Sequence, residues 1–237
     1  MKIKLFTIPN ILTLSNLVCG ALAVVSALVY NQLSLAFGLV ILAAVFDFFD
    51  GFVARLLQQS SPIGLQLDSL ADDISFGLAP SAILYALYLQ ESSVWSLPEW
   101  VGLFLFILAA FSALRLAKFN IDDTQRTEFC GLPTPAAAMF CASLGFITEQ
   151  RGVHFSCELL LGVAWVLSAL LVSPIRMFAL KFHGFGWAGN ELRYLFIVAC
   201  VVLLVALRTY AIPCIIALYV VVSTVRWLIT RGATSEN

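Results

Sequence analysis

The chain has 237 residues, of which 61% are apolar and 11% charged, and its mean hydropathy is +0.98. Soluble domains run at roughly 45–50% apolar and 25% charged, so a water-soluble globule is excluded. Thirteen Lys and Arg against fourteen Asp and Glu give a net charge of −1, which leaves no basic surface for gripping nucleic acid.

A spanning helix needs roughly 17–25 mostly apolar residues. Taken in chain order, such runs are Leu14–Tyr30, Leu33–Phe52, Ile74–Leu89, Val101–Phe119, Thr134–Thr148, Glu158–Ile175, Tyr194–Leu207 and Ala211–Ile229. The expected fold is an all-α polytopic membrane bundle of about eight helices, the fifth and seventh being short. The N-terminal MKIKLFTIPN leads into these runs without a small-residue cleavage site, so it reads as mature protein and not as a cleaved leader. The last seven residues, 231–237, read as a polar tail.

Orientation follows from the cations. With the N-terminus in the cytoplasm, Lys2, Lys4, Arg55, Arg115, Lys118, Arg126, Arg176, Lys181, Arg193, Arg226 and Arg231 lie inside, and only Arg151 and Arg208 lie outside. The loops around residues 53–73, 120–133 and 176–193 then share the cytoplasmic face. The expected location is a bacterial inner membrane.

Along the first helix Asn10, Thr13 and Asn16 recur every three residues in an apolar surround. Such a stripe either lines a polar-substrate pocket or glues helices together by hydrogen bonds. Ser75 and Ser81 carry the same two readings.

Between the second and third helices the sequence reads DFFDGFVARLLQQSSPIGLQLDSLAD. Asp47 and Asp50 are three apart and Asp68 and Asp72 four apart, so each pair projects from one helix face, and a hairpin brings the pairs together. Clustered carboxylates at a bilayer boundary require a compensating cation. Oxygen-only donors select Mg²⁺, Mn²⁺ or Ca²⁺ over zinc or copper, and two ions are compatible with four carboxylates. Gly51 and Ala54 lower the wall of that face, or serve plain helix packing. Gly64, assigned to the loop, permits a tight turn or close phosphate approach, and Arg55 offers a fork for a diphosphate. The six cysteines, scattered through apolar runs, read as small fillers, and His154 and His183 are too isolated for a zinc site.

The pattern Asp47-x2-Asp50-Gly51-x2-Ala54-Arg55-x8-Gly64-x3-Asp68-x3-Asp72 resembles the signature of the CDP-alcohol phosphotransferase family. The stretches IPNILTLSNLVCG, LADDISFGLAP, RLAKFN, FCGLPTPAAA and VSPIRMFALKF, spanning residues 8 to about 182, look like its phosphatidylserine synthase branch. The resemblance implies a six-helix catalytic core over residues 1–182, with two additional helices over 183–230, in a homodimer. It implies attack of an L-serine hydroxyl on CDP-diacylglycerol, with release of CMP. It further implies that Asp47, Asp50, Asp68 and Asp72 hold Mg²⁺ or Mn²⁺, with Ca²⁺ as an inhibitory occupant, and that Asp72 also acts as general base. CDP-diacylglycerol would then lie against Asn10, Thr13, Asn16, Gly51, Ala54, Arg55 and Gly64.

Serine carries a carboxylate, for which Arg115 and Arg176, then Lys118 and Lys181, are the candidate cations, with Asn120 assisting; the alternative is that they simply obey the cytoplasmic bias of positive charge. Residues 121–133 are a candidate mobile cover. Asp73, rotated about 100° from Asp72, is expected to point away from the site. Rival readings are a family member with glycerol 3-phosphate, inositol phosphate or choline as acceptor, and, remotely, an ion-coupled transporter.

Overall fold

The computed structural model describes residues 5–91, 93–122, 129–178, 186 and 190–235. Nine α-helices are assigned among them: α1 Ile8–Leu28, α2 Leu33–Leu56, α3 Pro62–Asp72, α4 Ala79–Gln90, α5 Ile107–Ile121, α6 Thr134–Arg151, α7 Cys157–Val172, α8 Glu191–Leu207 and α9 Ala211–Ser235. Five stretches are long and apolar enough to cross a membrane: α1, α2, Pro62–Gln90, Glu99–Ile121 and Glu191–Thr230; α7 is a shorter apolar helix. The chain is therefore a polytopic helical membrane protein. α9 carries helical backbone into the segment read as a polar tail.

Local chemistry explains the helix starts. Thr7 caps α1 by accepting from the Asn10 amide, and Pro9 sits in its first turn, where a missing N–H costs nothing. Buried residues Asn10, Thr13, Asn16, Cys19, Gly20, Ala23 and Ala27 then recur every three or four positions and form the face that packs against α2 and α3. α2 closes in a Schellman motif. The Gln59 amide donates to the Ala54 carbonyl at 2.9 Å, and Gln58, at φ 53°, takes the left-handed position that glycine usually fills.

Helix three begins earlier than hydropathy suggests. Ser61 caps it by accepting from the Gly64 amide at 3.1 Å, and Pro62 opens the first turn. This corrects two expectations: the third helical rod starts at Pro62 and not at Ile74, and Gly64 belongs to its first turn and not to the loop. From Pro62 to Gln90 the rod runs 29 residues, roughly 43 Å. A π-helical segment, Asp73–Leu78, links α3 to α4 immediately after Asp72.

That rod is the centre of the bundle. In its most apolar window 72% of residues are buried, against 39% in α1, 33% in α2 and 11% in Glu191–Thr230. Glycines allow the tight approach: a Cβ on Gly20 would stand 2.6 Å from the Cα of Ser75, whose hydroxyl donates to the Asn16 carbonyl at 2.9 Å. Around the rod lies an alanine-rich core that includes Ala23, Ala36, Ala43, Ala79, Ala138 and Ala142, while Val18, Leu22, Phe48, Phe52, Val201 and Val205 face outward.

Helices alternate in direction, so the α1 start, the α2–α3 turn, the α5 end and the α6 start gather at one end. At the other end polar contacts join the turns: Gln90 to Asn31 at 2.7 Å, the Ser34 amide to Glu149 at 2.6 Å, Ser93 to Glu158 at 2.6 Å, and Arg151 to Thr209 at 2.9 Å. One small departure from an all-helical fold lies at the first end. Phe129–Cys130 (β1) pairs antiparallel with Arg176–Met177 (β2), tying the approach to α6 to the exit of α7. Gly131, at φ 81°, follows β1, where any side chain would collide with the Leu171 carbonyl.

No disulfide joins the described cysteines. Cys19, Cys141 and Cys157 are buried, which suits small fillers, whereas Cys214 is exposed on α9. His154 bonds Glu91 at 3.0 Å.

Candidate active site

The α2–α3 turn sets the central geometry. Asp47 and Asp50 lie one turn apart near the end of α2, and Asp68 lies in α3, so the closing hairpin lays the two faces against each other. Each of the three offers an oxygen within 4.8 Å of the others. That separation is about twice a divalent ion's metal–oxygen distance of roughly 2.0–2.6 Å. Asp50 is buried, Asp47 and Asp68 half-buried. Asp68 Oδ1 is buried with no hydrogen-bond partner, and no lysine or arginine among the described residues forms an ion pair with the trio. Three carboxylates so placed, with an orphaned oxygen among them, fit a hard divalent cation.

Asp72 stands one turn beyond Asp68, outside the trio, with its carboxyl group adjoining that of Asp47. Its Oδ1 accepts from Asn16 Nδ2 at 3.1 Å, and the residue is almost fully buried. Asp73 is turned elsewhere. Its Oδ1 and the Ser112 side chain both press against Gly77, where a Cβ would stand 2.6 Å from Asp73 Oδ1 and 2.9 Å from Ser112 Oγ.

Two residues of the polar stripe of α1, Thr13 and Asn16, bond aspartates of this cluster, and Asn10 lies beside Gly64. Asn10 donates through Nδ2 to the Leu5 carbonyl at 2.8 Å, while its Oδ1 lies 3.2 Å from where a Gly64 Cβ would stand. Thr13 Oγ1 is 2.6 Å from Asp50 Oδ2 and 3.1 Å from the Pro9 carbonyl, and its single proton serves the shorter, charge-assisted bond. Asn16 holds Asp72. Thr13 and Asn16 thus each fix an aspartate, while Asn10 is held by the Leu5 carbonyl and lines the cavity, which gives physical content to both readings of the stripe.

A cavity of about 160 Å³ opens beside the cluster. Its walls include Asn10, Thr13, Asp50, Gly51, Ala54, Gly64 and Asp68. Asn16 is not among its walls, and Arg55 flanks them, its Nη1 3.6 Å from where a Gly51 Cβ would stand. Pro9, Gln59, Ser60, Ser61 and Leu65 also line it, and sequence reasoning passed over them. The serine that caps a helix ahead of proline was the available signal.

The expected carboxylate-binding cations are spread out. Arg115 is buried, its Nη1 donating to Thr134 Oγ1 at 3.2 Å and its guanidinium 5.7 Å from the centre of the Phe119 ring. It lies within electrostatic reach of Asp72. Asn120 donates to Ser69 Oγ at 2.8 Å, pinning the end of α5 to α3. Lys118 is exposed, with Nζ 4.0 Å from Cys130 Sγ, and Arg176 is exposed in β2, opposite Cys130. Lys181, together with Lys2, Lys4, Arg126 and residues 123–128 of the candidate cover, lies outside the described residues. Thr134 and Ser69 were not anticipated, because their parts depend on packing between α5 and its neighbours.

Residues 6–174 match the family described as CDP-alcohol phosphatidyltransferase. Relatives that bear the name CDP-diacylglycerol–serine O-phosphatidyltransferase include those of Bacillus subtilis, Helicobacter pylori and Methanocaldococcus jannaschii. The Bacillus subtilis protein is 36% identical over 182 residues, covering 74% of this chain and 92% of its own length. The Helicobacter pylori J99 protein is 32% identical over 231 residues, covering 94% and 92%. That of Methanocaldococcus jannaschii is 32% identical over 173 residues, covering 73% and 74%.

Proposed function

The chain belongs to the CDP-alcohol phosphatidyltransferase family, and from that premise we propose that it transfers the phosphatidyl group of CDP-diacylglycerol to the hydroxyl of L-serine, releasing CMP. The observation that carries the chemistry is the convergence of Asp47, Asp50 and Asp68 beside a cavity walled by Gly51, Ala54 and Gly64. The names of the relatives support serine as acceptor.

Asp47, Asp50 and Asp68 are the residues that would hold Mg²⁺ or Mn²⁺, with Asp72 adjoining. When bound, the ion neutralises charge on the diphosphate oxygens and eases departure of CMP. Thr13 keeps Asp50 oriented, and Asn16 does the same for Asp72. The low wall at Gly51, Ala54 and Gly64 admits the nucleotide, and Arg55 flanks its diphosphate. Asp72 accepts the proton of the serine hydroxyl as the new oxygen–phosphorus bond forms and the bond to CMP breaks. Arg115, the buried guanidinium near Asp72, receives the serine carboxylate, with Asn120 holding the end of α5 in register; Arg176, Lys118 and Lys181 supply a positive approach for the amino acid.

On this reading, residues 1–182 form a six-helix core, and α8 and α9 add two spans, giving eight. The cationic loops and the site face the cytoplasm of a bacterial inner membrane, and the chain works as a homodimer. The acyl chains then remain in lipid while the headgroup meets a water-borne acceptor.

The test is acceptor-resolved. Purified protein is given CDP-diacylglycerol and Mn²⁺ with serine, glycerol 3-phosphate, inositol phosphate or choline, and CMP and lipid products are measured. Serine-dependent CMP release with formation of phosphatidylserine is expected. Release with another acceptor and not with serine assigns the chain elsewhere in the family, and release with none defeats the proposal.

A further inference from the structure

One polar group of the C-terminal helices reaches from α9 into the core. Tyr219 is buried, and its Oη donates to the Phe178 carbonyl at 3.0 Å, across 41 residues of sequence. Its ring packs with those of Phe178 and of Phe196 on α8, at centroid separations of 5.0 and 5.9 Å. A phenylalanine would fill this aromatic cluster as well as a tyrosine does. What the phenol adds is a donor for a buried backbone carbonyl, a group that is costly to leave unmatched in a membrane-spanning bundle.

We infer that Tyr219 is a positioning residue for the acceptor pocket, acting from α9 on Arg115 through the β1–β2 pair. The inference rests on the reading of Arg115 as the group that receives the serine carboxylate. Phe178 follows β2 directly, so the bond from Tyr219 fixes the end of that strand. β2 in turn holds β1, with Cys130 opposite Arg176, and the Gly131 amide donates to the Ile175 carbonyl at 2.9 Å. Thr134, the first residue of α6, comes three residues after Gly131, and its Oγ1 accepts from Arg115 Nη1 at 3.2 Å.

A direct route runs beside this relay. α9 packs on both β2 and α6, and Tyr219 and Arg115 lie within electrostatic reach of each other. Both routes end on the same buried guanidinium. α9 is thereby part of the frame of the acceptor pocket and not only an added span.

The test compares full-length Tyr219→Phe, which loses the hydroxyl and keeps the ring, with Arg115→Lys and with the double variant. Steady-state kinetics of CMP release give kcat and the KM values for serine and for CDP-diacylglycerol. Hydrogen exchange of the substrate-free protein is followed in peptides covering residues 129–134 and 174–178, and thermal unfolding in detergent reports stability. Tyr219→Phe is expected to raise the KM for serine about 3- to 10-fold, the worth of one neutral hydrogen bond. The KM for CDP-diacylglycerol and the unfolding midpoint should stay nearly unchanged, while exchange in both peptides quickens. The double variant should raise the KM for serine by less than the product of the single effects, because both act through one group.

A wild-type KM for serine in Tyr219→Phe, with a raised one in Arg115→Lys, overturns the inference and leaves the role of Arg115 standing. Equal rises in both KM values mark the hydroxyl as merely structural and overturn it too, as do unchanged exchange or effects that multiply in the double variant. A wild-type KM for serine in both single variants defeats the reading of Arg115 and the inference with it.

Discussion

Thr13 Oγ1 on α1 stands 2.6 Å from Asp50 Oδ2 on α2, across 37 residues of sequence. The bond holds one oxygen of a buried carboxylate and so sets the direction in which the group can meet a cation. Orientation of a ligand by such an outer partner commonly accounts for about 10–100-fold in metal affinity. Thr13→Val, isosteric but without a donor, is therefore expected to raise the Mn²⁺ concentration for half-maximal activity at least about 10-fold, and Thr13→Ser to restore most of it. A metal titration of CMP release checks this, and a valine variant that titrates like wild type contradicts the role given to Thr13.

Asp72 and Asp73 are neighbours in sequence with different surroundings. Asp72 is held by Asn16 beside Asp47, whereas Asp73 abuts Gly77 and Ser112. Asp72→Asn should lose nearly all activity, and Asp73→Asn should keep a substantial part. Comparison of the two variants, each verified as folded by size-exclusion chromatography, decides. Equal losses would break the division.

Arg115 and Thr134 form a buried pair linking α5 to α6 at 3.2 Å. Lysine keeps the charge but loses the fork that can bond Thr134 and a carboxylate together. With a charge-assisted bond at about 1.5–3 kcal/mol, Arg115→Lys should raise the KM for serine about 10-fold while leaving that for CDP-diacylglycerol nearly unchanged. Equal shifts in both constants would mark Arg115 as merely structural.

Close helix contact makes a prediction independent of catalysis. Gly20→Ala drives a Cβ into the Ser75 backbone and should destabilise the protein by about 1–3 kcal/mol. Gly38→Ala, on exposed α2 surface with nothing within 4 Å, should be neutral or gain up to about 1 kcal/mol. Thermal unfolding in detergent separates them, and a Gly20→Ala variant as stable as Gly38→Ala would refute the packing.

The spacing of the aspartates was legible because helical geometry alone puts residues three or four apart on one face. The start of helix three was not. Its first eleven residues, Pro62–Asp72, carry Gln66, Asp68, Ser69 and Asp72, so hydropathy reads a loop where the Ser61 cap and Pro62 begin a helix. The π-helical segment after Asp72 and the β1–β2 pair depend on contacts with α1 and with a strand 46 residues away, and no local pattern announces either. Arg115 was legible as a cation in a useful place, but its burial and its bond to Thr134 came only with the packing of α5 against α7 and the π-helical segment. The stripe on α1 was seen, and what it touches was supplied by the fold.

The most direct measurement is anomalous diffraction from crystals of the protein soaked in Mn²⁺. A manganese peak bridged by oxygens of Asp47, Asp50 and Asp68 is the expected result. No peak there at saturating Mn²⁺, with the three carboxylates turned apart, would contradict the account.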